Sequence, residues 1–596
     1  MTFDILPSGD RFAFWEDVTA YTRVYHVAQA HPAASDDNPG TEDTPFKTIN
    51  AAARVLQPGE KAVVHAGVYR ECVRPARGGD GPDRMIAYEA APGERVVVSG
   101  AHVWTPEVSP SAGYAFSTPA NGATPANGAT IWMAELPAVF EDGYHPFLLR
   151  NAYAYLPVYG EVKDPGFLQR ALLRRGGLYV DGVPLRQVYH GRELAADAGA
   201  YWVEEPGNRL HFRLPDDADP ARHLLEFSVR EQCFAPREFG LGYLRVSGFI
   251  FRHAADGLPV PQRAAVSTMR GHHWIIEDTD IGWANACGLD IGAQTWEASV
   301  PDPTGGHIVR NNHLHHCGVC GIAGALGVHH TLIEGNTIEH IGGLNLERMW
   351  ECMGLKFHLA RHCLIRGNVF RHLRHAGGLW LDCSNVDNRI TGNLFQDIEA
   401  LTGGVYSEMN YARNLIDHNI FWDIRDPDGG AALAWGGGAA IRADCNETLV
   451  VAHNFFGLVQ GYGVMFSLNQ SDRRHEGRTG LCRANAAYNN VFYRCPHRVH
   501  LGARAENACD GNLYDAADDQ YAFHIAHPAP ETFQNLAGWQ QYFGLDLHST
   551  QARLTVTFDP AAGALSWQAE GELPDTHAAP ALIGDREELP GPRQHP

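Results

Sequence analysis

Two stretches of this sequence resemble each other and both end in a carboxylic acid: Gly377-Gly-Leu-Trp-Leu-Asp382 and Gly403-Gly-Val-Tyr-Ser-Glu408. Each acid stands eleven residues before an asparagine, Asn393 or Asn419. If these asparagines mark one phase of a repeating coil, the acids fall side by side on adjacent parallel strands, ~4.8 Å apart. Alternation then turns Leu379, Leu381 and Val405 inward and sets Trp380, Asp382, Tyr406 and Glu408 on an exposed outer face. Carboxyl groups about 5–5.5 Å apart suit double displacement at a sugar carbon, whereas about 6.5–9.5 Å leaves room for an inverting water. Neighbouring coils predict the shorter distance. Like charges this close should split their pKa values, leaving one acid ionised as nucleophile and the other protonated as acid. Trp380 and Tyr406 are placed to pack on sugar rings. A solvated acidic face is the plainer alternative, but it leaves an exposed Trp beside unneutralised acids unexplained.

The coil before them reads Glu351-Cys-Met-Gly-Leu-Lys356-Phe-His358. Alternation sends Leu355 and Phe357 inward and Lys356 and His358 outward, beside Asp382. Lys356 would hold a neighbouring carboxylate ionised and donate hydrogen bonds to sugar hydroxyls, with Glu351 and His358 fixing others. The bland reading is a surface ion pair between Glu351 and Lys356. Eleven residues before Asn368 stands Phe357, so this coil is slipped by one position.

The element that must position these side chains is a short repeat. Val309-Arg-Asn-Asn312-His-Leu314 recurs as Ile333 to Ile338, Ile365 to Phe370, Ile390 to Phe395, Ile416 to Phe421, Val451 to Phe456 and Ala487 to Phe492. The asparagines are 24, 32, 25, 26, 35 and 36 residues apart. Such a unit buries a core only by stacking on its neighbours. Coils of ~25 residues, made of short alternating strands and bends, predict a parallel β-helix, an all-β solenoid, with each Asn hydrogen-bonding its counterpart in the next coil. The repeat is lost between about 107 and 240, where Leu178 to Val188, Tyr201 to Glu205 and Arg209 to Leu214 read as an inserted β-sandwich. The expected organisation is an N-terminal cap and first coils over 1–106, the insert over 107–240, the main solenoid over 241–500, and final strands and tail over 501–596. A helix from Asn50 to Leu56 should cap the open end, with Lys61 to His65 as a first strand. Leu554 to Phe558 and Ala564 to Gln568 should form a hairpin, ahead of a Pro-rich tail.

The chain has 596 residues, with Asp+Glu 69 against Lys+Arg 47 and a net charge of −22. That balance argues against nucleic acid as a partner. No run of 18 apolar residues suggests a membrane span. The opening Met1-Thr-Phe-Asp-Ile-Leu-Pro lacks a basic, then apolar, secretory pattern, so a cytoplasmic protein with reduced cysteines is expected. His313, His315, His316, Cys317, Cys320, His329 and His330 invite a metal assignment, but Cys-x-x-Cys without a second pair is weak, and no metal ligand is assigned. His316 is instead expected to line the site, since its coil stacks beneath Lys356. No cofactor is expected; Asp36 and Asp37 could hold a structural Ca²⁺, with a plain Asx-turn as the simpler account.

Asn312-His-Leu-His-His-Cys-Gly, Glu351-x₄-Lys356-x-His358, Gly378-Leu-Trp-Leu-Asp382 and Glu408-Met-Asn resemble the glycoside hydrolase family 120 β-xylosidases. The resemblance runs over most of the chain, including Asp37-Asn-Pro-Gly-Thr and the interrupting β-domain. It implies a right-handed parallel β-helix with an inserted β-sandwich, a retaining mechanism and a homotetramer. It also implies Asp382 as nucleophile and Glu408 as acid/base, the pair that the repeat phase selects. Cys383 stands where the family pattern leads one to expect an aromatic residue, which leaves the sugar open, and some relatives accept α-L-arabinofuranosides. The expected activity is therefore exo-hydrolysis of β-xylosidic bonds in short xylo-oligosaccharides. An arabinofuranosidase or other pentosidase is the nearest alternative, then a β-helix polysaccharide lyase and a non-catalytic carbohydrate-binding solenoid.

Overall fold

The computed structural model describes residues 3–574, apart from 112–129, 152–165, 258–261, 295–303, 346–350, 431–435, 470–472, 476, 504–505, 518, 520 and 527–530. The Pro-rich tail lies outside the described residues. Three long sheets run side by side, and the chain visits them in turn once per coil. Sheet I begins at Arg23–Val27 and pairs in parallel through successive coils to Ala508–Asp510. Sheet II takes the strand after each Asn bend, and sheet III the strand after that. Ile333, Ile365, Ile390, Ile416 and Val451 stand in register in sheet I, all fully buried. Two residues after Asn368, Asn393, Asn419, Asn454 and Asn490, Phe370, Phe395, Phe421, Phe456 and Phe492 stack ring on ring, with centroids 4.7–5.3 Å apart, where the two earlier coils carry Leu314 and Ile338. One six-residue motif thus supplies a sheet I aliphatic, a bend amide and a core ring.

The asparagines form the expected ladder. Asn312 Nδ2 donates to Asn336 Oδ1 at 2.9 Å, and the pattern repeats through Asn368, Asn393, Asn419, Asn454 and Asn490. Each Oδ1 also accepts the backbone N–H of the Asn in the coil before, for example Asn368 N to Asn393 Oδ1 at 2.9 Å. Bends that would otherwise bury unpaired amides are thereby closed. A second ladder, at the bend between sheets III and I, joins Asn385 to Asn410 and Asn388 to Asn414.

Several boundaries differ from expectation. Sheet I starts a coil earlier, at Arg23–Val27, so Glu60–Val64 is its second strand. The capping helix, Ile49–Val55, has Thr48 as its N-cap and buries Ile49 and Ala51 to Ala53 against the core. The insert opens with Ala101–Trp104 and closes with Leu225–Ser228, each hydrogen-bonded to the other within a four-stranded sheet facing a five-stranded one. Trp104, Leu210, Phe212 and Phe227 fill the space between them. The solenoid resumes at Phe234, which bridges Val73 and Val266. It also runs past residue 500: Leu513–Asp515 and Phe523–Ile525 still pair in parallel, and Asn490 Nδ2 donates to Asn512. The motif survives there as Cys509-Asp-Gly-Asn512-Leu-Tyr514, with Tyr514 continuing the ring stack.

Two segments cover outer faces. Residues 3–17 cross sheet I as an arm. Phe3 packs on His418, Ile5 O accepts from Arg389, Ser8 N donates to Asp387, and Trp15 Nε1 donates to Gly306 O. Glu16 pairs with Arg310, and Leu6 and Phe12 bury Ile275, Ile308, Leu332 and Leu364. The expected hairpin, Thr550–Asp559 with Ala564–Glu570, folds over sheet II, where Phe558 stacks on Trp422 at 4.6 Å. Sheet III holds the two acids.

Replacing Asn393 with Ala removes two N–H donors and an acceptor oxygen that together bond four other groups. Each buried group left unpaired costs about 1–3 kcal/mol, so N393A should lower stability by ~3 kcal/mol or more, seen as a reduced melting temperature by calorimetry. A melting temperature equal to the parent's would show that the ladder is dispensable.

Candidate active site

Four consecutive sheet III strands build the site: Met353–His358, Gly377–Asp382, Val405–Glu408 and Ile441–Asp444. Leu355, Leu379, Val405 and Ile441 point into the core. The repeated Gly-Gly has a steric cause. A Cβ on Gly378 would lie 2.4 Å from Gly404 O and 2.6 Å from the Phe395 ring, and Gly404 meets the Phe421 ring in the same way. Only glycine lets these strands pass so close to the stacked phenylalanines.

The acids are in register, Asp382 opposite Glu408, with His358 on one side and Asp444 on the other. The one-residue slip of the Lys356 coil is absorbed at its bend, so His358, not Phe357, faces Asp382. A second row, Lys356, Trp380, Tyr406 and Arg442, runs beside the first. Both rows point outward as expected, yet neither is exposed: Asp382 is 7%, Glu408 3% and Trp380 5% accessible. The second row packs on itself. Lys356 Nζ lies 3.5 Å from the Trp380 ring centroid, the Trp380 and Tyr406 rings are 4.8 Å apart, and Arg442 covers Tyr406 at 4.6 Å. The Trp380 and Tyr406 faces expected to meet sugars are taken by neighbouring side chains. Trp380 Nε1–H, in contrast, is buried with no partner among the described residues.

Asp382 is the electrostatic centre. Its Oδ2 receives Lys356 Nζ at 3.0 Å and His358 Nε2 at 2.9 Å, and its Oδ1 accepts the Cys383 thiol at 3.0 Å. Burial alone would raise this carboxyl, but the Lys356 and His358 charges and the hydrogen bonds from His358 and Cys383 outweigh it. The carboxyl is held well below the ordinary range. Burial pulls Lys356 down, and the Glu351 and Asp382 charges more than reverse this. Lys356 Nζ reaches Glu351 Oε1 at 2.9 Å, so the ion pair of the plainer reading does form, but fully buried and not on the surface. Burial, then the nearby Asp382 charge, pushes the Cys383 thiol up and keeps it a donor.

All five residues Glu351, Lys356, His358, Asp382 and Glu408 gather here, but His316 does not. It lies in the bend that precedes the sheet III strands, at the end away from the acids. It is sandwiched there between Trp283 (4.0 Å) and His340 (4.6 Å), in a cleft of about 540 Å³ between the inserted domain and the solenoid. Asp36 accepts from Lys47 N, Thr48 N and Thr48 Oγ1 at 2.8–3.0 Å, which commits its carboxylate to ordering the turn before the capping helix.

Sequence reasoning missed four further groups. Gln262 Nε2 donates to Glu351 Oε2 at 2.6 Å, and Arg473, from a small hairpin, pairs with Glu408 Oε1 and reaches Cys383 Sγ at 3.6 Å. Arg442 and Asp444 had a signal: Asp444 stands ten residues before Asn454, as His358 stands ten before Asn368. Gln262 and Arg473 come from outside the repeat and had none.

Comparison with known proteins concerns the fold. A model described as right handed beta helix region matches residues 244–456. The fold is a right-handed parallel β-helix. A structure of XylC with xylose is similar at 22% identity, covering 90% of this chain and 88% of that one, with a TM-score of 0.65. A glycoside hydrolase structure is similar at 12% identity, covering 82% and 96%, with a TM-score of 0.50. No curated protein matches.

Removing Lys356 strands two buried carboxylates, a change that typically costs about 3–5 kcal/mol. K356M should therefore be strongly destabilised, and its pH dependence should change sign. In the parent, the depressed Asp382 pKa contributes stability that is present above the unfolded value of ~3.9 and lost only as pH falls through the folded value. Without Lys356, burial raises the carboxyl, so stability should fall as pH rises from ~4 through the new folded value. Thermal melts of both proteins from pH 4 to 8 test this; parallel curves would refute it.

Proposed function

We propose that this protein is a retaining exo-glycosidase that hydrolyses β-xylosidic bonds of short xylo-oligosaccharides. The observation that carries the reading is the in-register pair Asp382–Glu408, with Lys356 and His358 both held on one oxygen of Asp382. The similarity to XylC, which is seen with xylose, supports a pentose in the site.

In this mechanism Asp382 attacks the anomeric carbon while Glu408 gives a proton to the leaving oxygen; Glu408, now a carboxylate, then takes a proton from the water that frees the sugar. With Oδ2 engaged by Lys356 Nζ and His358 Nε2, Oδ1 is the attacking atom, and it accepts only the weak Cys383 thiol donor among the described residues. Arg473 on Glu408 favours the carboxylate form, so the arriving leaving group has to draw the guanidinium aside before Glu408 can act as an acid. His358 and the Trp380 Nε1–H edge are the groups we assign to hydroxyl recognition, while Glu351, bonded through both oxygens to Lys356 and Gln262, keeps Lys356 in place. Sugars are held by edges and charges here, with the aromatic faces already covered.

Proton NMR of the first-formed product from a nitrophenyl β-xyloside should show the β-anomer, and inversion would end the double-displacement reading. D382N should abolish turnover. E408Q should slow hydrolysis of xylobiose about 10²–10⁴-fold, with a much smaller effect on cleavage of the activated nitrophenyl bond. Faster turnover of the α-L-arabinofuranoside than of the β-xyloside would move the assignment to the other pentose.

A further inference from the structure

On sheet II, a face away from the two acids, His313-Leu-His315 places two imidazoles on the same side of one strand, with Leu314 buried between them. The preceding coil sets Asp280 opposite His313 and Gly282 opposite His315. A Cβ at Gly282 would lie 2.3 Å from the His315 ring. The absent side chain is what lets that ring lean over to Asp280. The donor atoms converge: Asp280 Oδ2 is 3.1 Å from His313 Nδ1, Asp280 Oδ1 is 3.2 Å from His315 Nε2, and one ligand atom from each residue lies within 4.8 Å of the others.

The remaining ring nitrogens are also engaged. His313 Nε2 faces Glu339 Oε1 at 2.9 Å, and Arg371 Nε holds Glu339 Oε2 at 2.6 Å. His315 Nδ1 faces His316 Nδ1 at 2.8 Å. Metal-bound histidines characteristically use their second nitrogen this way, which fixes tautomer and ring orientation. A simple ion pair needs only one imidazole per carboxylate, whereas here two imidazoles and one carboxylate meet around a common point with outer partners already set. The His313 side chain is 41% and that of Asp280 32% exposed, so the point is reached from solvent.

We propose that Asp280, His313 and His315 bind a divalent transition-metal ion of the zinc class. Two imidazole nitrogens and one carboxylate suit Zn²⁺, Ni²⁺ or Co²⁺ better than the all-oxygen preference of Ca²⁺ or Mg²⁺. Oxygen–nitrogen separations of 3.1–3.2 Å are close to the edges of a polyhedron with bonds of ~2.0–2.2 Å. The ion would join the Asp280 and His313 coils and, through Glu339 and Arg371, brace the two coils that follow.

Chelator-treated full-length protein, titrated with Co²⁺ at neutral pH, should develop a visible d–d band saturating at one equivalent. Zn²⁺ should raise its melting temperature. D280N and H313N should both lose the band and the thermal response, and E339Q should weaken binding about 10–100-fold. The chain holds 32 histidines, so the variants identify the site. Failure of the parent protein to give a saturable band overturns the proposal without any variant, and so does binding that persists unchanged in both D280N and H313N.

Discussion

The constraint behind everything else is that each coil must hydrogen-bond the coils on both sides of it in one register. Strand pairing at ~4.8 Å fixes the rise, but it does not provide for the bends, where the backbone turns away from its neighbours. The asparagine ladder does this. Each amide gives one bond to the next coil's amide and one to a carbonyl, and accepts from the coil before, so a bend can be buried at the same phase time after time. Once phase is locked there, residues a fixed distance upstream are locked too. Asp382 and Glu408 become neighbours because Asn393 and Asn419 are neighbours.

The same constraint explains what could be read from the sequence. Phase alone placed the acids in register, turned Lys356 and His358 outward beside them, and put Leu379 and Val405 in the core. It failed where the chain leaves the repeat. Arg473 and Gln262 come from connections whose lengths follow no period, so their contacts with Glu408 and Glu351 are purely tertiary. It failed as well for burial. An outward-facing position is solvated only if nothing packs over it, and Lys356, Trp380, Tyr406 and Arg442 pack over one another. His316 was misplaced for a related reason: phase fixes the coil on which a residue sits, but a bend residue lies at the opposite end of the strand from the acids.

The site couples stability to chemistry. A carboxylate as buried as Asp382 stays ionised only because Lys356 and His358 are buried with it, and Lys356 in turn is shared with Glu351. The charges form a closed set: removing any one leaves the others uncompensated in a poorly solvated place. The groups proposed for attack and hydroxyl recognition are therefore also structural, and substitutions among them will affect folding as well as any turnover.

The arm across sheet I changes how such a molecule comes apart and is made. A solenoid whose coils touch only their neighbours can fray from either end, coil by coil. Residues 3–17 reach from the Arg310 coil to the His418 coil, tying together turns that share no direct contact. Loss of any coil in that span costs the arm its seat, so the span behaves as one cooperative block. The order of synthesis gives this a second meaning. The arm leaves the ribosome before the coils it crosses, and its far anchor, His418, is made some four hundred residues later. It can dock fully only after the intervening coils have stacked correctly. The arm thus has the geometry of a latch that shuts on a finished stack of coils and finds no matching seat on one built out of phase.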